Sequence, residues 1–269
     1  MNKDILPFWQ EIGTSTSIIA RRVSEKLHLK TSHTGTLDPM ASGVVLILHG
    51  DEYFNKEKYI QNYKTYNFDI LFGLSTDTHD ALGVMEKSLN EDFEINEKQL
   101  IEVINSMVGK YHQQYPDFSS KKVEGKSLWE YKRLGLPVPD VFIDGEIIKI
   151  EVGGLQKISS ELELKNLIET IKAIKGNFRQ QEIIEKYQSL KFPPHFFKIN
   201  LEVEMSRGMY VRGLVRDICN KINIPGIVIN LVRTKDGDFS QNDCQKLSEF
   251  FKGELQQNPD FLNPEFRNL

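Results

Sequence analysis

His33-Thr34-Gly35-Thr36-Leu37-Asp38-Pro39-Met40-Ala41-Ser42-Gly43 is the stretch on which the reading of this chain turns. One acid sits among residues that dictate backbone shape. Proline after Asp38 biases the aspartate toward an extended backbone, and Gly35 and Gly43 permit turns on either side. The run that follows, Val44 to Leu48, is apolar and short enough for a buried strand. A carboxylate is therefore expected at the mouth of that strand. Two readings are open on these grounds: a turn aspartate bonded to its own backbone, or a functional group displayed from the loop.

Working outward, Ser15 or Thr16 caps a helix through Ile18 to Leu29. On the other side Tyr66, Phe68, Ile70 and Phe72 alternate with polar or smaller residues, which predicts a strand with one face on a core, ended by Gly73. Residues 75–83, STDTHDALG, form a polar turn. Asn96 begins a helix with apolar Leu100, Ile101, Val103, Ile104 and Met107, stopped by Gly109, and Ser127 caps a shorter one ending at Gly135. Ile147 to Val152 reads as a strand. Residues 155–192 then show helical spacing at Leu164, Leu167, Ile168, Ile171 and Ile174, a break at Gly176 and a second helical piece, so an inserted helical hairpin is expected. After it Phe197, Ile199, Leu201, Val203 and Met205 alternate strictly, while Val211, Leu214, Val215, Ile218 and Ile222 follow at helical spacing. A strand hands over to a helix at Ser206-Arg207-Gly208. Strands mix with helices without a regular alternation, so the fold class is α+β. Residues 1–238 are expected to form the main domain, and 239–269 a short tail below the usual ~50 residues of a second domain.

Composition agrees with a soluble globular chain of 269 residues, 39% hydrophobic and 27% charged. No apolar h-region opens the sequence, and no run reaches the ~18 residues of a membrane span, so a cytoplasmic location without membrane contact is expected. Cys219 and Cys244 lack CxxC spacing and read as small buried hydrophobes, and the six histidines form no metal-ligand cluster. Net charge is -4. That speaks against a polyanionic partner only on average, because basic residues gather locally: Arg21, Arg22, Lys26 and Lys30; Lys121, Lys122, Lys126, Lys132 and Arg133; and Arg207, Arg212, Arg216, Arg233 and Lys235. Each cluster alone is also what a solvated face looks like.

The Asp38 loop resembles the motif of the TruB family of tRNA pseudouridine synthases, in which the aspartate of HTGTLDP is the catalytic residue. The resemblance continues, in the family's order, through Lys64-Thr65-Tyr66, Gly73 to Gly83, Phe118 to Lys126, Ser206 to Arg212 and Leu231-Val232-Arg233-Thr234. It implies the pseudouridine synthase fold, a mixed and mostly antiparallel sheet flanked by helices and loops. It also implies an activity: isomerisation of the T-loop uridine, position 55 of tRNA, by base flipping and an aspartate nucleophile, with no cofactor and no metal. The implied partner is the T-arm and T-loop of tRNA, met by a monomer.

Carried over by position, the family implies Asp38 as nucleophile, Tyr66 packed on the target base and Arg212 pairing with Asp38. Leu231 would line the pocket, and His33 would enter the T-loop where the uridine leaves. Asp80 would hold active-site groups, with Lys122 and Tyr210 also binding substrate. The chemistry gives each a reason. Breaking N1 to C1′ and remaking the bond at C5 requires a nucleophile that holds the sugar or the ring meanwhile. An aspartate, which titrates near ~3.9, needs no activating base at neutral pH. An arginine fork holds such a charge ionised in a dry pocket, and an aromatic face suits a base drawn out of its stack.

Against the family's pattern, Trp9-Gln10-Glu11-Ile12 stands where Lys-Pro-x-Gly is usual. Gly50-Asp51-Glu52-Tyr53-Phe54 replaces Gly-x-Ala-Thr-Lys, leaving Lys56 or Lys58 as the substitute cation. A complete PUA domain would not fit after residue 239. The insertion, with Lys172, Lys175, Arg179, Lys186 and Lys191, is expected to supply RNA contacts instead. Two rival readings use the same residues: a noncatalytic RNA-binding protein on this scaffold, and a hydrolase pairing Asp38 with Asp77 or Asp80. Assays for pseudouridine and for hydrolysis separate them.

Overall fold

Seven consecutive buried residues, Ser42–Leu48, set the architecture around the Asp38 loop, because a strand with no solvent face must be covered on both sides. A computed structural model describes residues 2–258 and 260–262. The chain forms two compact units, one from the described residues of Met1–Asn67, Lys172–Phe178 and Asn230–Leu269, the other from Phe68–Ile171 and Arg179–Ile229.

In the first unit Ser42–Leu48 pairs antiparallel with Ile5–Gln10, from Ile5 opposite Leu48 to Gln10 opposite Gly43. It pairs parallel with the strand carrying Val232 and Arg233, which lie opposite Ser42 and Gly43. Helix Thr16–Leu27 begins one residue after Ser15 and puts Ile19, Ala20 and Val23 on Val45, Ile47 and Phe8. The other face meets Tyr59 together with Ile5. The segment expected as a tail adds to this core: Gln245 and Lys246 pair parallel with Phe8 and Trp9, and Leu247 and Phe251 are buried beside Phe8. Residues 263–269 of that tail lie outside the described residues.

Gly43, expected at a turn, stands instead inside the strand, at φ +127. A side chain there would place Cβ 2.2 Å from the Arg233 carbonyl oxygen, so only glycine lets the two strands approach at this register.

In the second unit strand Phe142–Val152 pairs antiparallel with Gly109–Gln114 on one side and with His195–Met205 on the other. The strand is longer than the Ile147–Val152 run that its apolar residues mark, because Asp144, Gly145 and Glu146 separate Phe142 and Ile143 from that run. Helix Glu97–Asn105 is capped by the Asn96 side chain, which accepts from the Gln99 N–H at 3.1 Å. In Leu128–Arg133 the Glu130 carboxylate accepts the Ser127 N–H at 2.6 Å. Helix Val211–Ile222 buries Arg212 with Val211, Leu214, Val215 and Ile218.

The insertion opens differently from the expected hairpin. Gln156–Ser159 is a strand on His195–Lys198, and helices Ser160–Ala173 and Gln180–Ser189 follow. Four mostly polar residues carry no alternation to reveal it, and the partner strand is remote in sequence. Among the described residues no helix is long and apolar enough to cross a membrane, and no group of His, Cys, Asp and Glu could hold a metal ion.

Gly43→Ala should lower stability by more than about 2 kcal/mol through left-handed strain and the main-chain clash. Urea unfolding checks this; a change inside the roughly ±0.5 kcal/mol of a surface substitution would refute the packing argument.

Candidate active site

Asp38 is half-buried on the loop between Ser32–His33 and Ser42–Leu48. Its carbonyl accepts the Ala41 N–H at 2.9 Å, the tight turn that Pro39 favours. Behind it, the Leu37 N–H donates to Thr16 Oγ1 at 3.1 Å, and Thr16 donates on to Gln10 Oε1 at 2.6 Å. The Gly13 N–H also donates to the Pro39 carbonyl at 2.9 Å. The segment that departs from the family at Trp9 to Ile12 thus still braces the loop, using wholly buried Gln10.

Arg233, 1% exposed, lies under the same loop. Its Nε donates to the Val44 carbonyl at 2.7 Å, and Nη2 reaches the Gly35 carbonyl at 3.4 Å, so one guanidinium ties residues on both sides of Asp38. Its charge also reaches the Tyr66 hydroxyl. Burial raises the Tyr66 pKa above the ordinary phenol value; Arg233 opposes the shift, while the Asp236 and Asp38 charges add to it. Tyr66 is consequently a neutral phenol at pH 7, with its ring half-buried. The loop is anchored once more at Thr34, whose Oγ1 donates to Asp236 at 2.7 Å. Asp236, 0% exposed, faces Lys64 Nζ at 3.3 Å, and Lys64 in turn donates to the Asn62 carbonyl at 3.1 Å. Such a buried pair is tolerable only because hydrogen bonds complete it.

His33 is half-buried on the short strand before the loop, and burial, with the Lys56 and Arg233 charges, holds its pKa below the usual histidine value. Its Nδ1 has no hydrogen-bond partner among the described residues. Lys56, one of the two candidate substitutes for the missing cation, is therefore near enough to act on His33, whereas Phe54 is 81% exposed. Leu231 is buried in the strand that carries Arg233. The first unit thus holds Asp38, Tyr66, His33 and Leu231.

The second unit holds Arg212, Asp80, Tyr210 and Lys122. Arg212, 3% exposed, puts Nε 3.5 Å from Asp80 Oδ2, donates from Nη1 to the Thr78 carbonyl at 3.0 Å and from Nη2 to the Phe118 carbonyl at 3.1 Å. Asp80 is fixed by the Thr78 hydroxyl at 2.7 Å and the Leu82 N–H at 2.9 Å. Asp77 accepts the Val84 N–H at 2.8 Å, so both aspartates are turn-setting acceptors and not a free carboxylate pair. Tyr210 exchanges main-chain hydrogen bonds with the Gln113 amide, at 2.8 and 3.0 Å. Its ring meets Tyr115 edge-on at 5.7 Å, and its hydroxyl lies 3.3 Å from Ser120 Oγ. Lys122 is exposed on a two-residue strand, and Lys121 stands over the Tyr115 ring at 5.3 Å. This cationic and aromatic surface suits a polyanion with stacking bases.

The basic cluster from Arg207 to Lys235 is therefore not one solvated face. Arg207 and Lys235 are exposed, but Arg212 and Arg233 are core residues. Arg233, Asp236, Lys64 and Thr34 received no role from the sequence. The available signal was period two along the strand, which puts Arg233 on the same face as Leu231.

The family described as TruB family pseudouridylate synthase (N terminal domain) matches residues 21–172. Relatives named tRNA pseudouridine synthase B include one from Caldanaerobacter subterraneus subsp. tengcongensis, 35% identical over 86% of this chain and 67% of its own length. Another, from Aquifex aeolicus, is 33% identical over 90% of this chain and 71% of the relative, and one from Bacillus subtilis is 32% identical over 93% and 70%. Among solved structures, Cbf5 chains share the fold: in a Cbf5-Nop10-Gar1 complex the TM-score is 0.54 at 16% identity, covering 93% of this chain and 56% of that one. An H/ACA RNP bound to a substrate RNA containing 2′-deoxyuridine gives 0.52 at 15%, covering 98% and 57%. This chain spans a little over half the length of those solved chains.

His79, between the two turn aspartates, has left-handed φ +62. Burial, then Arg216 and Arg212, lowers its pKa from 6.5 to about 4. The unfolded chain takes up this proton first as pH falls, so stability is full above about 6.5 and declines as pH drops from there through about 4. In His79→Asn, which tolerates the same backbone, that part of the slope should vanish; thermal unfolding from pH 7 to 4 with an unchanged slope would contradict the assignment.

Proposed function

The chain belongs to the TruB family of pseudouridylate synthases, and we propose on that premise that it converts the T-loop uridine of tRNA to pseudouridine. The reading is supported above all by one arrangement: Asp38 on a loop fixed by Arg233 from both sides, with the neutral Tyr66 phenol within reach of the same charge. A carboxylate so held meets the substrate already oriented, which lowers the entropy lost on reaching the transition state.

In this reading the target uridine leaves its stack and lies against the Tyr66 ring, with Leu231 as apolar wall and His33 filling the place it vacates. Asp38 attacks as nucleophile and holds the fragment while the N1–C1′ bond breaks. The detached uracil turns, C5 bonds to C1′ and Asp38 is released, the C5 proton is lost and N1 takes one up, so the product has the composition of the substrate. Arg212 supplies the counter-charge that keeps the carboxylate ionised, and Asp80 holds Arg212. Tyr66, protonated at neutral pH, relays the C5 proton: its oxygen receives it as its own proton passes to solvent. Lys122 and Tyr210 bind the T-arm. Residues 1–238, with the insertion at about 155–192, carry the proposed catalytic residues, the segment after 238 packs onto the first unit, and the chain acts as a monomer in the cytoplasm.

The test is tritium release from tRNA labelled at uridine C5, run beside filter binding at fixed salt. Asp38→Asn keeps size and much of the hydrogen bonding, so it should bind tRNA and release no tritium. Tyr66→Phe should bind normally and stall after the aspartate has acted, and Arg212→Ala should lose turnover. Release by Asp38→Asn near the wild-type rate would overturn the nucleophile. A wild type that binds tRNA without releasing tritium would favour the noncatalytic RNA-binding reading.

A further inference from the structure

Among the basic residues of the insertion, Lys175, Lys186 and Lys191 are exposed, as RNA contacts require, but Arg179 is not free in the same sense. It stands at left-handed φ +63 immediately before helix Gln180–Ser189. From there Nη1 donates to Asp77 Oδ2 at 2.7 Å and Nη2 to Asp77 Oδ1 at 3.1 Å, the two-point geometry that only a guanidinium can make. The same guanidinium lies 5.0 Å from the centroid of the Phe118 ring.

The two residues it grips lead directly to Arg212. Thr78, next to Asp77, gives its carbonyl to Arg212 Nη1 at 3.0 Å, and Phe118 gives its own carbonyl to Arg212 Nη2 at 3.1 Å. The helix following Arg179 strengthens the placement. Ile183 and Tyr187 are buried, and the Tyr187 hydroxyl, without a hydrogen-bond partner among the described residues, feels the charges of Asp80 and Asp77. One side chain of the insertion therefore bridges both main-chain segments that hold the buried arginine.

We propose that Arg179 is a positioning residue for the isomerisation: by clamping Asp77 and Phe118 it fixes the carbonyls that aim Arg212. Through Arg179 the insertion then acts on the rate of the chemical step. This rests on the reading of Arg212 as counter-charge to the reacting carboxylate. It separates from an RNA role by the chemistry of substitution. Lysine serves as well as arginine for a lone phosphate contact, but it cannot reproduce a two-point clamp on a carboxylate.

The experiment compares the full chain with Arg179→Ala, Arg179→Lys, Asp77→Asn and Arg179→Ala/Asp77→Asn. It measures single-turnover tritium release, tRNA binding across salt, and thermal unfolding. Expected is a fall in the chemical rate of roughly tenfold or more in all four. The double variant should be no worse than either single one, with tRNA Kd within about twofold and an unchanged salt slope. Two outcomes overturn the proposal. One is a folded Arg179→Ala that reacts within about twofold of wild type. The other is a weakened Kd with a salt slope smaller by about one, restored by Arg179→Lys, which assigns the residue to a phosphate. A wild-type chain that releases no tritium overturns the proposed function, and this inference with it.

Discussion

The Arg233 guanidinium is the constraint from which the Asp38 loop takes its shape. A fully buried arginine cannot shed its charge, so the protein must commit main-chain acceptors to it, here the carbonyls of Gly35 and Val44. Those carbonyls flank Asp38, and satisfying the cation fixes the loop as a consequence. The strand register follows too. Arg233 lies opposite Gly43 in a parallel pair, and the absence of a side chain at Gly43 lets its main chain come that close. Burial keeps the Tyr66 hydroxyl neutral, while the Arg233 charge beside it acts in the opposite direction.

A second buried arginine is held in the same manner. Arg212 rests on the carbonyls of Thr78 and Phe118 and on Asp80 at 3.5 Å, a separation longer than a short charge-assisted hydrogen bond. Carbonyl dipoles satisfy donors without cancelling charge. Arg179 is held differently, locked to the Asp77 carboxylate in two-point fashion. The arginines differ in role accordingly. The role proposed for Arg212 is electrostatic, and that proposed for Arg179 is to hold the segments around it.

Much of this is legible in the sequence. Alternation at Phe68, Ile70 and Phe72 and at Ile199, Leu201 and Val203, and the helical spacing after Tyr210, mark strands and a helix where they occur, since amphipathic elements must show their period. The segments that carry Asp38, Tyr66 and Arg212 stand out in the sequence through local motifs. Their supports do not. Thr34 reaches Asp236 across 202 residues of sequence, and Arg212 reaches Phe118 across 94. Pairings at such range leave no periodicity, and a buried arginine is written with the same letter as a solvated one. The strand Ile5–Gln10 and the strand Gln156–Ser159 escape for a related reason: each takes its conformation from a partner strand and not from its own pattern.

The segment Trp9 to Ile12 departs from the family's usual pattern, and hydrogen-bonding groups beside it still meet the needs of the Asp38 turn. What the Asp38 turn requires is an acceptor for the Leu37 N–H and a donor for the Pro39 carbonyl. Thr16 and Gly13 meet both needs, and Gln10 serves only to orient the Thr16 hydroxyl and to cap the Thr14 carbonyl at 2.8 Å. A glutamine amide offers one acceptor and two donors on a rigid plane, so it can satisfy a hydroxyl and a carbonyl together from one buried position. Replacing a lysine-proline-glycine segment therefore need not disturb the carboxylate, because the turn depends on hydrogen-bonding groups delivered to fixed points and not on the residues that usually deliver them.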